Sequence, residues 1–219
     1  MAASLDFSKD LELIKEHNVD LVIGIDEVGR GAWAGPVCIG AFVLDINKHI
    51  PVIGVNDSKL VKKDKREAVS NLLQDNKFLV LTGELNSINS FGIGKTITDL
   101  IIEAVDDLNA YVTNLNKKAL FIVDGQFKVS FGENCVKRIK ADSTFYSVAA
   151  ASILAKVFRD NLMTQLHSSY NQYAFNKNKG YPTSEHLKAL NTYGVSKIHR
   201  TSFKPISNQL SLLNENSRN

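Results

Sequence analysis

Residues 21–36 read LVIGIDEVGRGAWAGP, and no other stretch constrains the fold so strongly. A run of apolar residues with the pattern of a buried strand ends in two adjacent carboxylates, Asp26 and Glu27. Three glycines follow at 29, 31 and 35, with Arg30 between the first two. Acids at the end of a buried strand are costly to desolvate unless something cationic or hydrogen-bonding meets them. Neighbours on a regular strand point to opposite faces, so both acids reach one site only if Glu27 already lies in the turn. Glycine makes such a departure easy.

The rest of the chain reads as an α/β domain. An amphipathic helix at 8–18 leads into the strand at Leu21–Asp26, and PVCIGAFVLD (36–45) reads as a hairpin partner buried on both faces. A loop delivers Asn56, Asp57, Ser58 and Lys59; then the spacing predicts a helix at 62–75 and a strand at 77–85. Ile93, Ile97, Leu100, Ile101, Ala104, Leu108 and Tyr111 recur at steps of three and four, the stripe of one long helix. ALFIVDG (119–125) repeats the opening pattern, a strand ending in Asp124 and a glycine, and 135–141 reads as a fifth strand. Asp142 stands just ahead of a helix at 144–167, whose VAAASILA run permits close packing on a sheet. Near residue 170 Asn, Lys, Tyr and Pro replace apolar strands, dividing the chain into a core at 1–170 and a smaller helical extension at 171–219.

Composition narrows the class. With 219 residues, 44% hydrophobic, 22% charged and a net charge of +3, the chain is an ordinary globular protein, mildly basic. Cys38 and Cys135 lie far apart and belong to no paired motif, so neither a disulfide framework nor a cysteine-zinc site is suggested. No secretory signal or membrane span is legible, so a cytoplasmic protein without a membrane partner is expected.

Asp26, Glu27, Asp124 and Asp142 each lie at a strand end or helix start, and in α/β sheets such positions converge. Taken singly, an acid after a strand is ordinarily a turn or capping residue. Crowded together, carboxylates repel, and divalent cations are the natural compensation; an all-oxygen set favours Mg²⁺ or Mn²⁺ over Zn²⁺. The chemistry this suggests is metal-assisted phosphoryl hydrolysis. From Lys177 to Lys204 six Lys or Arg face one acid, Glu185, with Tyr181, Tyr193, His186 and His199 interleaved. That composition suits either a solvated face or a duplex backbone.

GIDEVGRGAWAGPV resembles the opening motif of ribonuclease HII, and NDSK, IVDG, KADSTFYSVAAASILAKVFRD, NKGYPTSEHL and HRTSF are similar to that family's later motifs, in the same order. The resemblance covers nearly the whole chain, from about residue 20 to 205. It implies a ribonuclease H-like mixed five-stranded sheet flanked by helices, and a monomeric endonuclease of replication and repair. That enzyme would cut RNA in RNA/DNA hybrids and nick duplex DNA 5′ of embedded ribonucleotides, with Mn²⁺ or Mg²⁺ as cofactor. By the same resemblance Asp26, Glu27, Asp124 and Asp142 are the catalytic metal ligands, while Gly29, Arg30 and Gly31 read the ribose 2′-hydroxyl. Tyr181 would pack on the adjacent deoxyribose, and Lys59, Arg200 and Ser202 would contact phosphate.

Two departures stand out: Leu60 replaces a usual second lysine, and Trp33 a smaller residue. The rival reading is a catalytically silent hybrid-binding module of the same fold. The related ribonuclease HIII is expected to differ by a threonine in place of Arg30 and by an added N-terminal domain.

Overall fold

The computed structural model describes the backbone of residues 4–216 and the side chains of residues 4–211. The last three residues of the predicted extension, 217–219, lie outside the described residues. In chain order the elements are α1 (Ser8–His17), β1 (Leu21–Val28), β2 (Val37–Leu44), α2 (Lys63–Leu73), β3 (Phe78–Gly83), α3 (Leu85–Phe91) and α4 (Ile93–Asn114). There follow β4 (Ala119–Asp124), β5 (Cys135–Arg138), α5 (Tyr146–His167), α6 (Phe175–Asn178), α7 (Ser184–Tyr193) and α8 (Lys204–Asn216).

The described strands form one five-stranded sheet in the order β3-β2-β1-β4-β5. β1 and β2 pair antiparallel, whereas β1 with β4 and β4 with β5 pair parallel, so the sheet is mixed as expected. Every residue of β2 is buried, in keeping with a strand covered on both faces.

The small residues of α5 explain how it lies on this sheet. Residues 148–155 are all buried. A Cβ added at Gly24 of β1 would overlap the α5 backbone at Ser147 and Val148, and one at Gly40 of β2 would overlap Ala151. Glycine on the strands and alanine on the helix thus let backbone approach backbone. A core of Phe7, Phe42, Leu44, Leu73, Tyr146 and Leu154 fills the space beside it.

The chain divides into two compact units. One comprises Met1–Val28, Cys38–Leu81 and Asp99–Val157 and holds most of the sheet. The other comprises Gly29–Val37, Thr82–Thr98 and Phe158–Asn219, with a core of Ala34, Met163, Tyr173, Phe175, Leu190 and Ile206. Trp33 packs against this second core, its ring centroid 5.6 Å from that of His186.

Several boundaries differ from expectation, two of them with consequences for the layout. The predicted strand 77–85 stops at Gly83, and a separate helix, α3, precedes Gly92, whose φ of 84° breaks it from α4. The fifth strand ends at Arg138, and Asp142 sits in a 3-10 turn, Ala141–Ser143, ahead of α5.

Candidate active site

In the first unit, three carboxylates come together. Parallel pairing of β1 with β4, Ile25 opposite Val123, sets the strand-end acids Asp26 and Asp124 side by side. β4 and β5 also run parallel; after β5 the chain turns at Lys140, with φ 57°, into the 3-10 turn that carries Asp142. Asp124 Oδ1 accepts a 3.0 Å hydrogen bond from the Ala141 N–H, tying that turn to β4. Asp26, Asp124 and Asp142 each offer an oxygen, and the three lie within 4.8 Å of one another. Oxygen donors at this spacing fit a hard divalent cation.

Glu27 is not part of this group. The ladder continues regularly through Glu27 opposite Ile39 and Val28 opposite Cys38, so Glu27 is still on the strand and the turn begins later. Strand alternation then directs it away from Asp26 and Gly24, which share the face under α5. The expectation that Glu27 had entered the turn is therefore corrected: pairing with β2 holds it in the ladder. Its N–H donates to Asp26 Oδ1 at 2.8 Å, and its charge remains near enough to disfavour ionisation of Asp26.

The electrostatics are those of a site short of positive charge. Burial, reinforced by Glu27, Asp124 and Asp142, pushes the Asp26 carboxyl up to about 8, against a hydrogen bond from Ser152 that favours the ionised form. Burial also raises Asp142, helped by Asp57 and Asp124 and opposed by Lys59. A cation placed among these oxygens would reverse both shifts.

Lys59 is the nearby cation, its Nζ 3.9 Å from Asp142 Oδ2 and its side chain 81% exposed. Partial burial lowers its pKa, but Asp142, Asp57, Asp26 and Asp124 together outweigh that, and the net shift is upward. An Asx turn builds the loop, with Asp57 Oδ1 accepting from Lys59 N at 2.9 Å. Ser58 Oγ lies 2.9 Å from Ser152 Oγ, a buried bond that pins the loop to α5. Leu60, the departure beside it, is exposed.

The other predicted site residues belong to the second unit. Gly29 has φ 93°, and a Cβ there would overlap the guanidinium of Arg159, so only glycine fits. At Gly31 an added Cβ would meet nothing within 4 Å; Gly31 and Arg30 are both exposed. The segment that follows is braced by backbone bonds: Trp33 N to Gly180 O at 2.8 Å, Gly35 N to Ile198 O at 2.9 Å and Arg200 N to Trp33 O at 2.8 Å.

Arg200, expected to contact phosphate, is instead fully buried. Its Nε donates to Gly35 O at 2.9 Å and its Nη1 to Arg30 O at 3.0 Å, so the guanidinium holds the glycine-rich loop from inside. Ser202 is exposed, and its Oγ donates to Ile88 O at 3.2 Å. Tyr181 is half-buried, its ring 5.3 Å from the guanidinium carbon of Arg159.

Comparison with known proteins places these features in a family. The family model described as ribonuclease HII matches residues 23–206. The chain belongs to the ribonuclease HII family. A ribonuclease HII of Staphylococcus aureus is 40% identical over 203 residues, 91% of this chain and 75% of that protein. Among solved structures, ribonuclease H2 of Pyrococcus horikoshii superposes with a TM-score of 0.71 at 24% identity, covering 89% of this chain and 99% of that one. A Bst ribonuclease HIII in complex with Mn²⁺ superposes at 0.66 with 21% identity, covering 89% of this chain and 70% of that one. Both likenesses are of fold. As a ribonuclease HII the protein is a type 2 ribonuclease H, an endonuclease that hydrolyses RNA.

Sequence reasoning missed two supports in this ribonuclease HII. Ser152, read only as part of a packing run, bonds Ser58. Arg159, which stands in the KADSTFYSVAAASILAKVFRD motif, is fully buried with three bonds to backbone carbonyls. A polar residue inside VAAASILA was the available signal for Ser152; nothing in the local spacing marked Arg159.

Proposed function

We propose that this chain cleaves the RNA strand of RNA/DNA hybrids and nicks duplex DNA on the 5′ side of an embedded ribonucleotide, leaving 3′-hydroxyl and 5′-phosphate ends. The observation that carries the reading is the convergence of Asp26, Asp124 and Asp142 within 4.8 Å, short of positive charge. These three would hold Mg²⁺ or Mn²⁺, with Glu27 contributing charge from the next strand position. When bound, such a cation offsets the negative charge of the scissile phosphate and makes a water molecule more acidic. The exposed, cationic Lys59 beside Asp142 is suited to a phosphate oxygen of the substrate.

Recognition of the ribonucleotide falls to the glycine-rich segment and Tyr181. The open space above Gly31 leaves its backbone approachable, and a 2′-hydroxyl both donates and accepts. Arg30 is exposed on the same segment, while Arg200 fixes its carbonyl from beneath. Tyr181 offers a half-buried ring face suited to a deoxyribose. Residues 171–219 supply this part of the substrate surface, and Ser202, exposed among them, is the residue assigned to a phosphate contact. In this reading the chain is a monomer acting on nucleic acid in the cytoplasm; separately, no described helix is long and apolar enough to cross a membrane.

A duplex carrying one embedded ribonucleotide, incubated with Mg²⁺ or Mn²⁺, should be nicked by the wild type and not by Asp124→Asn. Equal cutting by both would sink the assignment.

A further inference from the structure

His186 and His199 lie in the second unit, fully buried, with Nε2 atoms 3.0 Å apart. Their surroundings settle where each proton is. The Ser196 backbone N–H, which can only donate, points at His199 Nδ1 from 2.9 Å, so that nitrogen accepts. A neutral imidazole accepting at Nδ1 carries its hydrogen on Nε2, and His199 therefore donates to His186 Nε2. His186 must then carry its hydrogen on Nδ1, which is 3.0 Å from the carbonyl oxygen of Tyr181. Every link has one direction.

The groups around the pair keep it neutral and dry. The ring of Tyr173 meets His199 edge-on at 4.9 Å and Phe175 meets His186 at 5.4 Å, while the Tyr173 hydroxyl donates away, to Gly194 O at 3.0 Å. The Ser196 hydroxyl lies 2.8 Å from His199 Nδ1. The adjacent Arg200 points its guanidinium to Gly35 and Arg30. Burial holds both imidazoles below their ordinary range, His199 also through the charge His186 would carry. A second proton on either ring would set two N–H groups against each other.

At its far end the chain of bonds meets the Gly180–Tyr181–Pro182 turn. The Tyr181 carbonyl also accepts from Thr183 N at 2.9 Å, and Tyr181 N donates to Asn178 O at 2.9 Å. With its carbonyl held from two sides, the backbone of Tyr181 is fixed, and the backbone conformation selects the rotamers open to its ring.

We propose that His199 and His186 form a one-directional hydrogen-bond relay from Ser196 to the Tyr181 carbonyl, and that both are positioning residues that set the Tyr181 ring for its sugar contact. This rests on the substrate reading above. Removing the donor should loosen Tyr181 and weaken discrimination at the ribonucleotide without touching the carboxylates.

The test is a double-mutant cycle on a duplex with one embedded ribonucleotide, joined to ¹⁵N NMR of the imidazoles in the full chain. His199→Phe fills the same space without the Nε2–H and should lower kcat/KM about tenfold, mainly through KM. His199→Gln, whose amide N–H stands near the Nε2 position, should recover most of that loss. In a Tyr181→Ala background His199→Phe should change kcat/KM by less than about twofold, because the residue it acts through is gone. NMR should find His199 protonated on Nε2 and His186 on Nδ1. The opposite tautomers, or the same fold-loss from His199→Phe with and without Tyr181, would overturn the relay. Failure of the wild type to cut the duplex would instead overturn the substrate reading, and the tautomers would still decide the relay.

Discussion

Two arginines that stand in the family motifs, Arg200 and Arg159, face inward, and Arg159 shows why such a residue is conspicuous once buried. Its Nε donates to Pro36 O at 2.8 Å, Nη1 to Lys179 O at 2.9 Å and Nη2 to Ala34 O at 3.2 Å. A planar fork matches three carbonyls that no single ammonium can reach together. Arg159→Met should therefore cost about 3 kcal/mol or more in urea unfolding, because the carbonyls stay buried without their donor. Arg159→Lys should lose nearly as much; a change under about 0.5 kcal/mol for either would show that the clamp does not matter to folding. Gly29→Ala attacks the same clamp from the other side, through a φ of 93° and the guanidinium beneath it. The type of these residues was legible in the sequence and their direction was not, since an arginine on a helix declares its charge but not the carbonyls that fold around it.

At the scale of elements, the weight falls on α5, which is held at its start and along its length. Asp10 of α1 is fully buried and accepts from Tyr146 N at 2.8 Å and Ser147 N at 3.3 Å, capping α5 from 136 residues away. Asp10→Ala should cost about 1–2 kcal/mol by differential scanning calorimetry, the usual loss of a helix cap, and Asp10→Asn less because an acceptor remains. Gly40→Ala should cost roughly 2 kcal/mol for a different reason, since its methyl group would press α5 off the sheet at Ala151. These cases mark what periodicity conveys. β1, β2, β4 and the long helices α4 and α5 were legible because runs and stripes are local properties. The remote cap was not, nor was the last step of β1: whether Glu27 lies in strand or turn depends on its pairing with Ile39. α3, at seven residues, was too short for a stripe to separate it from α4. The acids Asp124 and Asp142 were visible as strand-end residues, but their convergence needed the parallel register of β4 with β1 and β5.

At the scale of the whole molecule, ionisation couples the sites to global stability with opposite signs. His199 is pulled to about 4 from an ordinary 6.5, so between these values the unfolded chain binds a proton that the folded one refuses. Its contribution is complete above about pH 6.5 and is lost as pH falls toward about 4, roughly 3 kcal/mol in all. Asp26, raised to about 8, works the other way and favours the folded state on acidification. The useful quantity is thus the difference between wild type and His199→Phe in urea unfolding, which should shrink steadily across that window and be flat above it. The carboxylates make the complementary prediction at fixed neutral pH. Three acids within 4.8 Å destabilise the metal-free chain, so Asp124→Asn should melt higher than wild type in EDTA. A cation that binds only the folded state stabilises by about 2.7 kcal/mol at a hundredfold excess over Kd, which for a chain of this size is about 5–10 °C in Tm. Adding Mn²⁺ should therefore reverse the order, raising the wild type past Asp124→Asn. If both proteins shift equally the three acids are not the binding site, and if neither shifts the crowding of charge serves something other than a cation.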